Sequence, residues 1–338
     1  MHKPALSKSA FAGAAMLVAA LTIALGLNAS LRAQAAAQGW ERADGGGQEF
    51  EVASVRKNTS GGQSNSNFSL DNGNAYFTVG KDDALNPNGT LFSAKSQTLL
   101  RYIVFAYKLG GTQELALRVD FYAGLGLHVS EWVRNDRYDI DARTPGAATK
   151  DQMRLMMQSL LAERFKLAVH WETREAPVFA LVLDRPGKLG PQLRQHPAGD
   201  DCSTTAFPEN SGKNAPAAPP LAAIPIPCGL IAHLPASVPG ENHFGGRNVT
   251  LAMLAESMPT QTGLNTLPRP LIDETGLTGG FDFSIEWTPE DTSQAGELDS
   301  FGAAFCEALK EQLGLKLEPQ KGPVLVLVID HVEQPSPN

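Results

Sequence analysis

Several residue groups in this chain have the types and spacing that chemistry uses. Ser54-Val55-Arg56-Lys57 fits the Ser-x-x-Lys pattern of acyl enzymes, which needs serine at a helix start with lysine one turn later. Here the stretch Phe50–Val55 alternates as a strand, so Ser54 and Lys57 fall on opposite faces and the match is by chance. His170 and Glu172 share a strand face and could shuttle protons or hold a metal, but no H-E-x-x-H helix or cysteine pair completes a metal set. A solvated strand face is the plainer reading. Asp139 with Asp141, and Asp282 with Glu286, are carboxylate pairs on one strand face, a spacing that permits acid–base work and that sheet exteriors also carry. His196, His233 and His243 lie in or beside a proline-rich stretch and read as surface polar groups. The loop Asp273–Gly280 (DETGLTGG) combines glycines with Asp and Thr oxygens, which builds a rigid turn; a ligand loop is looked for first at Asp273, Thr275 and Thr278. None of these groups makes a convincing catalytic set, and no catalytic residue, cofactor or metal ligand is assigned.

The elements that must position them centre on Thr149–Asp184. Met153, Met156, Met157, Leu160 and Leu161 recur at helical steps, with Thr149 and Gln152 as a capping box. The period then changes to two at Phe165, Leu167, Val169 and Trp171. A return over Thr173–Pro177 and a second, continuously apolar strand, Val178–Leu183, are expected next.

This pattern comes back at Phe301–Asp330. Pro177-Val178, Leu181-Val182 and Asp184 match Pro323-Val324, Leu327-Val328 and Asp330. Upstream, Ser96–Leu99 resembles Asn248–Leu251, and Tyr138–Ile140 resembles Phe281–Phe283. Matches in the same order imply a degenerate duplication. The expected fold is α+β: two pseudo-repeated units of amphipathic helices packed on mostly antiparallel sheet.

The order along the chain follows. Residues 1–37 carry Lys3 and Lys8, an apolar run from Phe11 to Leu27, and small residues before Ala37, the order of a secretory signal peptide. An uncleaved membrane anchor is the alternative. Residues 38–89 hold a strand and an Asn/Gly/Ser-rich segment, and residues 90–184 form the first unit, with 108–133 mostly loop. Residues 185–240 contain 11 of the 23 prolines and read as an inserted Pro/Ala-rich loop. The second unit is 241–338. Without the signal the formal charge moves from −8 to −11, which argues against nucleic acid and anionic membrane as partners. Export to an oxidising compartment favours a Cys202–Cys228 disulfide; Cys306 lies in the last helix.

Five segments then identify a resemblance: FEVASV (Phe50–Val55), LLAERFKL (Leu160–Leu167), DETGLTG (Asp273–Gly279), QLGLKLE (Gln312–Glu318) and IDHVE (Ile329–Glu333). Together they resemble a soil-associated, secreted bacterial protein family of unknown function. The resemblance implies export, many paralogues, and relatives that carry the same region behind an antibiotic-sensor-type membrane metallopeptidase. It implies no activity and no catalytic residues. The chain departs from the family at Ser130-Glu131-Trp132, where a Gly-x-Pro-x-Trp turn is expected. The expected function is a periplasmic or extracellular, non-enzymatic recognition or sensing module whose partner is a protein or envelope ligand. Membrane contact would come only through an uncleaved N-terminal segment. The alternative is an extracellular hydrolase using carboxylates or His170.

Overall fold

The computed structural model describes residues 47–72, 89–120, 125, 127–199, 226, 228–262, 267–289 and 302–335. The expected signal segment lies outside them. Among the described residues no helix is long and apolar enough to cross a membrane.

The chain is α+β; the described residues form two four-stranded antiparallel sheets and one three-stranded sheet. The first sheet has the order β1-β4-β3-β2, from β1 (Val52–Asn58), β2 (Asn65–Ser66), β3 (Leu91–Thr98) and β4 (Arg137–Arg143). The second has the order β6-β10-β8-β7, from β6 (Leu193–Gln195), β7 (Leu230–His233), β8 (Asn242–Val249) and β10 (Phe281–Trp287). Between β3 and β4 run α1 (Leu99–Ala106), α2 (Gly111–Arg118) and α3 (Glu131–Asn135). The stretch 108–133, expected as mostly loop, therefore contains one helix and the start of another. Both are short enough that no long apolar period announces them. Between β8 and β10 run α5 (Leu251–Thr262) and the short β9 (Leu271–Asp273).

The two strand-to-helix junctions share one local device. β3 bulges at Ser96 and β8 at Asn248, both with positive φ, 54° and 50°. In each case an aspartate from the neighbouring strand accepts the strained residue's amide: Ser96 N donates to Asp139 Oδ1 at 2.8 Å, and Asn248 N to Asp282 Oδ1 at 3.0 Å. Two residues on, Thr98 and Thr250 accept from the amides of Arg101 and Met253, the N-cap contacts that start α1 and α5.

Helix α4 (Lys150–Phe165) carries the capping box read from Thr149 and Gln152. Its stripe of Met153, Met157, Leu160, Leu161 and Phe165 packs in the first core. Lys150 and Arg154 are also fully buried. Lys150 Nζ meets Asp71 at 2.6 Å, while Arg154 pairs with Asp151, bonds the Asp71 carbonyl and lies over the Phe105 ring. The segment ending at Asp71 thus lies over the start of α4, and the helix is buried on more than its apolar stripe.

The largest departure from the sequence reading is the ribbon. No return occurs at Thr173–Pro177. β5 (Ala168–Leu183) is one unbroken strand, and its counterpart β11 (Leu315–His331) is another; they pair antiparallel along their whole length, from Leu315↔Leu183 to Ile329↔Val169. β9 joins β5 in parallel on the other edge. Three prolines occupy this ribbon, in the pairs Pro177↔Lys321, Pro319↔Phe179 and Pro323↔Glu175. All three pairs have the same parity. In an antiparallel ladder alternate pairs exchange no hydrogen bonds, so a missing N–H at each of these sites costs the ladder nothing. The amide of Phe179, of that parity, indeed points away from β11 and donates to Pro270 O at 2.8 Å. The proline that reads as a turn is therefore a strand residue in an outward slot. The ribbon crosses both cores: Ala176, Val178, Val324, Val326 and Leu327 pack in the first, Leu181 and Leu315 in the second.

Asp139→Ala should cost about 1–3 kcal/mol by orphaning the buried Ser96 amide, and Asp282→Ala more, because it orphans the Asn248 amide and also removes the carboxylate that Arg194 and His196 bind. Urea unfolding midpoints compare the two; equal losses would contradict this ranking.

Candidate functional site

An open cavity of about 720 Å³ lies where the end of β5, the turn after it, the last helix and the start of β11 meet. The turn is closed by Lys188 N donating to Arg185 O at 3.1 Å, with Gly187 at positive φ. It is then stitched to the helix end, Gly190 N to Leu313 O at 2.9 Å and Gln192 N to Gln312 O at 2.8 Å. Glycine is required at Gly190: a Cβ would sit 2.3 Å from Gln312 O and 2.5 Å from Gly314 N.

The helical wall is α6 (Ala303–Ala308), continued by a π-helical turn, Leu309–Leu313. Such turns rotate following side chains off the α-helical track and recur at functional sites. Gln312 holds this one to β10, accepting from Glu286 N at 3.0 Å and donating to Glu286 O at 2.6 Å. Arg185, Lys188, Lys310 and Lys316 line the cavity with Asp184, Glu307, Glu311 and the Cys306 thiol. Asp184 is loosely paired, 3.6 Å from Arg185 and 3.9 Å from Lys310. Lys316 meets Glu318 at 2.8 Å, a contact that raises the ammonium's pKa. Among the described residues no histidine lines the cavity. The arrangement suits binding through several weak, adjustable ion pairs.

The residues singled out from sequence are placed elsewhere and apart. In the Asp273 loop, Asp273 Oδ1 accepts from Thr275 N at 3.0 Å and Thr275 Oγ1 at 2.7 Å, and Thr275 Oγ1 accepts from Leu277 N at 3.2 Å. Those two side chains are engaged in the turn itself, while Thr278 is exposed. Asp139 holds Ser96 N and Asn58 Nδ2. Burial raises the Asp141 carboxyl, but hydrogen bonds from Lys95 and Ser93 and the Lys95 and Arg56 charges outweigh it and hold the pKa below the usual value. Ser54 faces Asp141 across the sheet, and Lys57 Nζ meets Asp136 at 2.6 Å, so no Ser–Lys pair forms. His170 Nδ1 lies 2.9 Å from both oxygens of Asp330 and Nε2 3.9 Å from Glu172, on the ribbon surface with both pair members about half exposed, 49% and 47%. Cys202 lies outside the described residues, and with it the expected bridge to Cys228. Among the described residues no three His, Cys, Asp or Glu groups cluster as a metal site.

Two histidines read as surface groups are instead enclosed. His196 Nδ1 lies 2.6 Å from Asp282 Oδ1, and Arg194 binds Asp282 Oδ2 at 3.0 and 3.2 Å. His243 Nδ1 donates to Pro235 O at 2.6 Å, and its Nε2 lies 2.8 Å from Ser284 Oγ. Asp282 and Ser284 lie on the face of the second sheet opposite Phe281, Phe283 and Ile285, and Ile226 and Leu234 pack over that face at Gly245. A Cβ on Gly245, opposite Ser284, would come 2.6 Å from Leu234. The signal in sequence was Gly245-Gly246 inside a strand, which marks close approach of another layer.

Residues 101–332 match the family model described as protein of unknown function (DUF3738). The chain belongs to that family. Neither a curated protein nor a solved structure matches it. Family membership assigns no activity.

Gly190→Ala should lower stability by about 2 kcal/mol or more, because backbone must move, and open the cavity wall. Gly187→Ala, which meets open space, should cost only the positive-φ penalty of about 1 kcal/mol. Chemical denaturation of both variants checks this; similar losses would mean that the turn and helix are not tightly joined.

Proposed function

We propose that this protein is an exported recognition module that binds a small zwitterionic or acidic envelope ligand, such as a short peptide with free termini, in the cavity beside Lys188 and Lys310. The observation that carries this reading is an open cavity lined by four cations and three acids, in which Asp184 is only loosely paired with Arg185 and Lys310, next to a π-helical turn held from behind by Gln312. A ligand carboxylate can replace Asp184 at Lys310 with little reorganisation, and a ligand amine can take Glu307 or Glu311. Export rests on the charged, apolar and small-residue order of residues 1–37 and on the family resemblance. A Cys202–Cys228 bridge belongs to the same reading and would tether the Pro/Ala-rich segment.

We also take the two halves to descend from one doubled unit. The shared strand order and the matching Ser96–Asp139 and Asn248–Asp282 junctions support this. A crystal structure whose halves failed to superpose over their four-stranded sheets would remove it.

An extracellular hydrolase is the second reading, favoured by the His170–Asp330 pair alone. No Ser, Thr or Cys side chain is among the described partners of His170.

The test is a thermal-shift series on the mature protein with short acidic and zwitterionic peptides. A ligand at about a hundred times its Kd stabilises by about 2.7 kcal/mol, a rise of several degrees. The rise should disappear in Lys188→Glu/Lys310→Glu. No shift with any peptide, or an unchanged shift in the double variant, would sink the cavity reading. Non-reducing mass mapping of periplasmic and culture fractions, with and without residues 1–37, checks export and the disulfide.

A further inference from the structure

The two halves also meet away from the ribbon, where α2 of the first packs against α5 of the second. Glu256 stands at the centre of this contact. Its Oε1 accepts from Thr112 N at 3.1 Å, and its carboxyl also takes the Gln113 amide, so it caps the amino end of α2 from the other half. The approach is close enough to exclude side chains: a Cβ on Gly110 would lie 2.3 Å from Glu256 Cγ, and one on Gly111 2.5 Å from Glu256 O. Part of the residue reaches solvent, but the carboxyl end is enclosed. No cation reaches it among the described contacts. The Thr112 hydroxyl, on the residue whose amide Glu256 holds, is buried without a partner among the described residues.

We propose that Glu256 is a proton-operated clasp between the two halves, closed when its carboxyl is protonated and loosened when it ionises. A protonated carboxyl keeps its acceptor oxygen on Thr112 and adds an O–H donor to a contact that holds an orphaned hydroxyl oxygen. An ionised carboxylate has two helix amides and, among the described residues, no counter-ion, and regains its hydration only if α5 moves off α2.

The surrounding charges do not take over this role. On α2, Glu114 pairs with Arg118 and lies 3.5 Å from Arg101. Lys108, just before the Gly110 cap, is 3.1 Å from Asp151. From β9, which also packs on α5, Asp273 is held by Thr275. Glu256 is the one charged residue of α5.

Burial raises the Glu256 carboxyl to about 7, against the lowering effect of the Thr112 and Gln113 amides. Because the closed-state value lies above the ordinary one, closure is favoured fully below about pH 4.5 and is lost as pH rises through about 7. Linkage between those two values predicts that the closed-to-open ratio falls about thirtyfold from pH 5.5 to 8.5.

Hydrogen–deuterium exchange on the full chain reads this directly. After correction for intrinsic rates, amides of Thr112–Glu114 should lose about thirtyfold protection between pH 5.5 and 8.5. Glu256→Gln should flatten that response. Unchanged wild-type protection, or a wild-type response retained in Glu256→Gln, would overturn the clasp. Should the variant fail to fold, carbon-13 titration of the Glu256 carboxyl in the wild type decides. A midpoint near pH 7 that coincides with the loss of protection supports it. A midpoint in the ordinary glutamate range overturns it.

Discussion

The structure depends on an antiparallel ladder in which every proline falls at a pair that exchanges no hydrogen bond. Pro177, Pro319 and Pro323 share that parity, so β5 and β11 remain continuous where each alone looks broken. Slipping one strand by one residue would put either Pro177 or both Pro319 and Pro323 into donor positions and turn the slipped strand's side chains to the opposite face. Both hydrophobic cores take side chains from both strands, so neither core is complete without the ribbon. The halves are therefore joined through their packing as well as through the chain.

The polar groups follow from the same architecture. Asp139 and Asp282 occupy matching places, each holding the amide of a strained residue ahead of a helix. Their surroundings differ. The first sheet leaves its outer face partly to solvent, where Arg56 and Lys95 pair with Asp141. The second carries Ile226 and Leu234 over Gly245 on its outer face, where His243 meets Ser284, and beside them His196 meets Asp282. Chemistry-bearing residue types thus serve as strand-to-layer ties, since a buried polar group without a partner costs more than the bond contributes.

The cavity beside Lys310 contrasts with these closed pairs. Its charges are spaced at 3.6–3.9 Å around Asp184 and remain open to exchange partners, while the backbone beneath them is fixed by Gly190, Gln312 and Gly314. A rigid floor with adjustable charged walls fits recognition of a small polar ligand better than it fits proton transfer, which needs a base aligned on a nucleophile.

The α+β class and the start of α4 were legible in the sequence because they rest on local rules. Helical spacing of Met153, Met157 and Leu161, the Thr149–Gln152 capping box and the alternation after Phe165 each act within a few residues. The same holds for the Asp273–Thr275 turn, whose bonds close on neighbours in sequence. Other features need partners far along the chain. A proline reads locally as a break, and only its position opposite Lys321 makes it a strand residue. Glu256, Lys150 and His243 look like ordinary surface residues until α2, the Asp71 segment and the Leu234 layer close over them. Local propensity and pattern are written residue by residue; burial and pairing of charge are set by which distant surfaces meet.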